Sequence, residues 1–317
     1  MTAPQETLNR SGRSDRTPVS IVVCTRDRAD DLMRCLAAIR ALDCPPSLQV
    51  DVVVVDNGSR DRTAEVVASA AEGSPIPMRR VYLAEPGLAR ARNAGIQASL
   101  GDYILFTDDD CLVATDWLAS AIRVMQTEPS IGLAGGQVRL HNSRDLPETI
   151  KPSPDLERPN GSADLHGLLL GCNMVIRRSV LDEIGLFDPR FGAGSRFKSS
   201  EDTDMVYRVY RAGFGVIYNP QFVVSHNHGR RSLPEIRRLH RGYRIGRGAF
   251  YAKHLLHGRL DVLSILLRQL VPHRRSAYPL PSWPRYLRAV VGQFVRAPWL
   301  LAGAILYWRI GEEAAHG

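Results

Sequence analysis

Residues 50–56 read VDVVVVD, a run of valines interrupted only by Asp51. Continuous β-branched runs suit a strand covered on both faces, and such strands belong to parallel sheets with helices above and below. The flanks repeat the pattern. Upstream, VSIVVC at 19–24 is a second apolar run, and the spacing of Leu32, Cys35, Leu36, Ile39 and Leu42 predicts a helix over 29–42 with one apolar face. Downstream, a helix over 64–71, a short strand RVYL at 80–83, a helix from about Pro86 to Gly101 and a strand YILFT at 103–107 follow in turn. This alternation predicts an α/β chain with an open, mainly parallel sheet, which binds ligands beyond the carboxyl ends of its strands.

Those strand ends carry the polar residues. Thr25, Arg26 and Arg28 follow the first strand, Asp56 closes the second, and Asp108, Asp109 and Asp110 close the fourth. Three adjacent carboxylates repel one another, and burying them unpaired costs several kcal/mol, so a divalent cation among them is the simplest remedy. An isolated DDD also reads as a solvated turn that caps the next helix, expected over 115–125. Further along, 141–165 is polar and Pro-rich and reads as a mobile loop. Short strands near Met174 and Val223 then flank a helix over 202–212. SSEDTD at the start of that helix supplies Glu201, Asp202 and Asp204, which can serve as N-terminal caps or as acid–base groups. His226 and His228, at i and i+2 after a strand, point to one face.

Composition sets the outer bounds. The chain has 317 residues, 44% of them hydrophobic, enough for one large α/β domain with an appendage. Residues 1–17 are polar, lack a signal-peptide core and read as a disordered tail; 18–230 form the body and 231–317 a basic helical rear. Five scattered cysteines (Cys24, Cys35, Cys44, Cys111, Cys172) with no CxxC pair suggest neither a disulfide framework nor a zinc site, and fit a reducing cytoplasm. The net charge of +8 is uneven: after His226 there are sixteen Lys and Arg against four Asp and Glu. A basic rear attracts phosphates on nucleotides or anionic lipid. Aromatic platforms spaced for bases are not evident, which argues against nucleic acid.

The ordered set VSIVVCTRDR, VVVVDNGSRD, GLARARNAG, LFTDDDC, GCNMVIRR, GLFDPRF, EDTDMVYR and VVSHNH resembles the family 2 glycosyltransferases over about residues 18–228. The resemblance implies the GT-A fold, a Rossmann-like sheet flanked by helices, here with a C-terminal helical region. It also implies an inverting enzyme that moves one sugar from a nucleotide-sugar, UDP- or dTDP-linked, to a hydroxyl of a glycan, lipid-linked or small-molecule acceptor. By the family pattern Asp110 ligates Mn²⁺ or Mg²⁺, Asp108 meets the ribose or the metal shell, and His226 is a third ligand with His228 behind it. The nucleotide falls to Thr25, Arg26, Arg28, Asp56, Arg92, Asp108 and Asp109, and the sugar and acceptor to Gly171, Cys172 and Asn173. Asp202 takes the general-base position, with Glu201 orienting the acceptor or the base. Where processive relatives carry QxxRW, this chain has Gln293 and Arg296 but Ala297 in place of Trp, with Trp299 two residues late, which implies addition of one sugar at a time.

A nucleotidyltransferase and a non-catalytic nucleotide-sugar binding protein are the competing classes. CTRDRADD lacks the Gly-rich phosphate loop expected of the first, and the Glu201–Asp202 pair has no use in the second. At the rear, the apolar part of 286–311 approaches the ~20 residues that span a bilayer, but Arg296 and Pro298 interrupt it. This favours a peripheral position on the inner face of the cytoplasmic membrane over a crossing. The alternative is that Trp299, Leu300, Ile305 and Trp308 pack on the catalytic sheet.

Overall fold

The computed structural model describes residues 16–270 and 298–309. The valine runs form the centre of its sheet. Strands β1 (Thr17–Thr25), β2 (Leu48–Asp56), β3 (Met78–Tyr82) and β4 (Tyr103–Asp108) lie parallel in the order β3-β2-β1-β4. Val52 and Val54 point into one core with Leu32, Leu36 and Ile39 of α1 (Ala29–Arg40) and Val66 and Val67 of α2 (Thr63–Ala71). Val53 and Val55 point into the other, against Ala89, Ala91 and Ile96 of α3 (Leu88–Ala98). That two-sided burial is why alternate polar residues are missing from this stretch.

Beyond β4 the sheet turns mixed. β7 (Asn173–Arg177) runs antiparallel to both β4 and β6 (Ile131–Leu140), β6 runs parallel to β8 (Gly215–His226), and β5 (Cys111–Val113) pairs antiparallel with the end of β8. Sequence periodicity gives no warning of β6, because Gly135 and Gly136 sit in its middle. Side chains there would collide with Leu169 and with the Phe222 carbonyl and Asn173 amide respectively, so close approach of neighbouring segments demands the glycines. The register also shifts between Gly135 and Gln137, opposite Pro220 in β8, which lets a proline sit within a paired strand.

The polar segment after β6 is tied to the sheet rather than hanging from it: Val138 bridges Lys151, and Glu157 bridges Tyr218. Helices α4 (Trp117–Thr127), α5 (Arg178–Ile184) and α6 (Glu201–Arg211) complete the layers. The basic rear supplies α7 (Leu233–Leu256), α8 (Val262–Leu270) and a helical stretch over 298–309. A Ser232–Glu235 capping box starts α7, and Ala249, Phe250 and Tyr251 pack it into the second core beside Tyr207 of α6.

Polar bonds add to that docking. The fully buried Asp204 of α6 accepts from Arg208 Nε (2.9 Å), Lys253 Nζ (2.8 Å) and His254 Nε2 (2.9 Å), and Lys253 also reaches Asp188 (3.0 Å). Burial works to raise the Asp204 pKa, but His254, Lys253 and Arg208 hold it well below the usual carboxylate range. The stretch 298–309 lies against α7 at two glycines, Gly248 facing Leu300 and Gly303 facing Ile245. Among the described residues, no helix is long and apolar enough to cross a membrane. The disordered-tail expectation for 1–17 falls almost wholly, and the Gln293–Ala297 signature wholly, outside the described residues.

The α3–sheet contact gives a stability test. A Cβ on Gly95 would collide with Val22 Cγ1 and press on Val55 Cγ2. Alanine gains about 1 kcal/mol of helix propensity, but overpacking a rigid core costs about 1–3 kcal/mol. Gly95→Ala is expected to lower the urea unfolding free energy by about 1 kcal/mol or more; a stabilised variant would mean that α3 does not press on the sheet at Gly95.

Candidate active site

The carboxyl ends of β1, β2 and β4 open on one cleft of about 1730 Å³, roofed on the far side by the start of α6 and by α7. Pockets for single small ligands run to about 1,000 Å³, so this one has room for two substrates. Thr25, Arg26, Arg28, Arg92, Asp108, Asp109, Asp110, Gly171, Cys172, Glu201, Asp202 and His226 all line it. The structure therefore gathers most of the residues singled out in the sequence, drawn from positions up to two hundred residues apart.

The acids at the end of β4 have different surroundings. Asp109 is held inside by Thr25 Oγ1 (2.8 Å) and by Arg28 NH1 (2.9 Å), and burial pushes its carboxyl up to about 7. Asp110 takes the other prong of the same guanidinium, Arg28 NH2, at 3.0 Å, and faces His226 Nε2 at 3.3 Å. Burial alone would raise Asp110, yet its bond with His226 and the charge of Arg28 keep it well below the usual range. Burial likewise works to lower His226, but Asp110 lifts it to about 9. Asp108 is raised by burial, with Arg92 working against the rise.

His226 comes from the end of β8, which β5 holds in register beside Cys111. Its Nδ1 lies 3.0 Å from the Thr149 carbonyl oxygen, which can only accept, so the proton sits on Nδ1 and Nε2 is turned toward Asp110. Thr149 holds a left-handed φ of 52°, a costly conformation for a β-branched residue. Asp110, Cys111 and His226 bring one oxygen, one sulfur and one nitrogen within 4.8 Å of one another. A carboxylate with an imidazole that gives up its Nε2 proton on binding suits Mn²⁺ or Mg²⁺; the buried Cys111 thiol, pushed well above its ordinary pKa by its neighbour Cys172 and by burial, does not. The donor set fits a hard divalent cation.

Across the cleft, Ser200 adopts a left-handed φ of 74° and turns the chain into α6. Glu201 is buried against Arg92 NH1 at 3.0 Å, while Arg92 NH2 reaches Asp108 at 3.4 Å. Burial, aided by Asp202, raises Glu201 to about 7, with Arg92 opposing. Asp202 faces the cleft, half-buried, and accepts from the Gly171 amide (3.2 Å) and the Thr203 amide (2.7 Å).

Some expected residues lie elsewhere. Asn173 is fully buried and spends its amide on Gln137, Phe222 and Trp117, so it does not line the cleft. Asp56 is buried in the β2 turn, accepting from the Ser59 amide (2.9 Å) with Arg80 at 3.4 Å; its neighbour Asn57 lines the cleft instead. Arg92 has only 2% of its side chain exposed, so its guanidinium acts inside the protein. His228 packs edge-on against His226 with its Nδ1 taken by the Arg230 amide. Thr149 and the α7 residues Tyr243 and Arg247 were not foreseen. Thr149 gives no sequence signal, whereas Leu239, Tyr243 and Arg247 share one helix face at i, i+4, i+8.

Comparison with known proteins identifies the family and the fold. The family model described as "Glycosyl transferase family 2" matches residues 20–185, and a second, "Glycosyl transferase family group 2", matches 103–310. The chain belongs to glycosyl transferase family 2. It is a glycosyltransferase, 27% identical over 231 residues to the succinoglycan biosynthesis protein ExoM of Rhizobium meliloti, a match covering 69% of this chain and 66% of that protein. The fold is that of the mannosyltransferase PcManGT of Pyrobaculum calidifontis, solved with GDP-Man and Mn²⁺ (TM-score 0.57, 22% identity, covering 95% of this chain and 76% of that one). It is also that of Staphylococcus aureus TarS 1-349 with UDP-GlcNAc (TM-score 0.57, 18% identity, 95% and 92%). This family 2 glycosyltransferase thus has the GT-A architecture, with the three acids at the end of β4 and the Glu201–Asp202 pair on opposite sides of one cleft.

Removing one member of a buried ion pair strands its partners, at a cost of about 3–5 kcal/mol. Arg92→Met is therefore expected to lower stability by about 3 kcal/mol or more in urea unfolding, and Arg92→Lys to recover little, because an ammonium lacks the two-pronged reach to Glu201 and Asp108. A lysine variant with full stability would contradict the bridging role.

Proposed function

We propose that the enzyme transfers one sugar from a nucleotide-sugar to an acceptor hydroxyl in a single inverting displacement, with Mn²⁺ or Mg²⁺ held at Asp110 and His226. The observation that carries this reading is the placement of the Asp110–His226 pair and the Asp202 carboxylate on facing walls of the same cleft. A divalent cation there supplies charge stabilisation for the departing nucleoside diphosphate. Thr25 and Arg26 at the end of β1 line the side where the nucleotide of the donor would rest, and the forked Arg28 matches a diphosphate as well as it matches two carboxylates. A UDP- or dTDP-linked donor remains the reading of this site, and the UDP-GlcNAc bound to TarS supports it.

Asp202 takes the acceptor's proton as the acceptor oxygen attacks the anomeric carbon; the bond to the diphosphate breaks on the opposite face, so the configuration inverts. The pairing of Glu201 with Arg92 supports this division of labour, because it commits one of the two adjacent acids to Arg92 and leaves Asp202 turned to the cleft. In this scheme 18–230 carries donor binding and the base, and the described part of 231–317, chiefly α7, supplies the acceptor wall. Asp202→Asn is expected to cut turnover by about 10²-fold or more with nucleotide affinity near normal. Asp110→Asn and chelation should each remove most activity. Retention of the donor's anomeric configuration in the NMR spectrum of the product, or full turnover in chelator, would overturn the scheme.

The acceptor is a glycan, a lipid-linked sugar or a small molecule, and the enzyme works at the inner face of the cytoplasmic membrane. Supporting this, Leu301, Ile305 and Trp308 are exposed along one side of 298–309 next to Arg309, while Trp299 lies under Arg241 (4.0 Å) and Leu300 meets α7. Basic residues near an anionic surface contribute about 1 kcal/mol each. The protein is expected to co-sediment with phosphatidylglycerol-rich vesicles at low salt and to be released at high salt; recovery in the supernatant at low salt would rule the membrane contact out.

A further inference from the structure

The far wall of the cleft is built by α7, and its chemistry differs from that of the donor side. Leu239, Tyr243, Arg244 and Arg247 all line the cleft and are half-buried, whereas Arg237, Arg238 and Arg241 of the same helix are exposed to solvent. No residue that α7 contributes to this wall is acidic. Arg230 lines the cleft from the segment before the helix. Half-buried arginines on one side of a cleft focus a positive potential, and the guanidinium fork matches phosphate oxygens two at a time.

The wall stands next to the catalytic carboxylates. Gly246 packs directly on Ser199, where any side chain would collide, and Ser199 leads through Ser200 into Glu201 and Asp202. Burial pushes the Tyr243 hydroxyl well above the ordinary phenol range; Arg230 opposes the rise, and the nearby Asp202 and Glu201 charges add to it. One helical turn is about 5.4 Å, so Arg247 sits about that far along α7 from Tyr243. Ile265 and Leu300 add apolar surface to the same cleft.

We infer that the acceptor is a phosphorylated sugar, whose free hydroxyl meets Asp202 while its phosphate is bound by Arg244 and Arg247 with Arg230 beside them. This rests on the glycosyl-transfer reading and names the class of its acceptor. The phosphate has two possible sources, a soluble sugar phosphate or a sugar joined to a lipid through phosphate, and the chemistry of recognition is common to both.

The test uses the full chain saturated with Mn²⁺ and whichever of UDP, dTDP or GDP it binds, so that the donor side is filled. Calorimetric titration with glucose 1-phosphate, methyl glucoside and geranyl-diphosphate-linked glucose then reads the wall alone. The phosphorylated sugars are expected to bind at least tenfold more tightly than methyl glucoside. Arg244→Gln/Arg247→Gln should erase that preference with nucleotide affinity unchanged, and Arg244→Lys/Arg247→Lys should restore part of it. Tighter binding of the geranyl compound than of glucose 1-phosphate assigns the phosphate to a lipid carrier, and equal binding assigns it to a soluble sugar; both support the inference. Equal affinity for phosphorylated and plain sugars overturns it, as does a glutamine double variant that keeps the preference. Failure to bind any nucleoside diphosphate would overturn the transfer reading and this inference together, whereas nucleotide binding without a phosphate preference overturns this inference alone.

Discussion

Arg92 joins the two walls of the cleft: one prong of its guanidinium reaches Glu201 at the start of α6 and the other Asp108 at the end of β4, with almost no water in contact with it. Its charge lies over the rings of Phe187 (5.6 Å) and Phe106 (6.0 Å), which meet edge to face. A cation so buried is tolerable only because two carboxylates converge on it, and those carboxylates are tolerable only because of the cation. Gly171 completes the fit, since a Cβ there would lie 2.7 Å from one guanidinium nitrogen. The end of β4 and the start of α6 are thereby tied together by one ion-paired side chain.

Charge balance then explains the rest of the site. Three consecutive acids closing one strand would be unstable together, and the fold answers with Arg92 on Asp108, Arg28 across Asp109 and Asp110, and His226 on the far side of Asp110. Arg28 thus holds the carboxylate that the proposed cation would need. The network beneath, with Asp204 shared among Arg208, Lys253 and His254, locks α7 onto α6, so the basic wall cannot drift away from Asp202.

The parts of this arrangement set by short-range periodicity could be read from the chain. VDVVVVD, VSIVVC and YILFT appear as strands where expected, and the helical face of Leu32, Leu36 and Ile39 packs on them. The alternation of valines between two cores is visible in the residues themselves. The second half was harder because tertiary contacts override local pattern there. Gly135 and Gly136 look like a break but are required for packing against Leu169 and Phe222, and Pro220 looks like a strand end but sits at a register shift. The strand-end motifs located the cleft, yet motifs do not say which way a side chain turns. Asn173 turns into the core to bond Trp117, Asp56 into its own turn, and Arg92 into an ion pair. Thr149 is invisible in sequence because its role is to offer a backbone carbonyl to His226, which any residue type can do.

The proposed mechanism requires Asp110 and His226 to hold one divalent cation between them. Diffraction at the manganese absorption edge, from crystals grown with Mn²⁺ and a nucleoside diphosphate, tests it directly. The expected result is an anomalous peak about 2.2 Å from an Asp110 oxygen and His226 Nε2, with Arg28 turned away from Asp110. A peak elsewhere, or none with His226 and Arg28 still closed on Asp110, would contradict it.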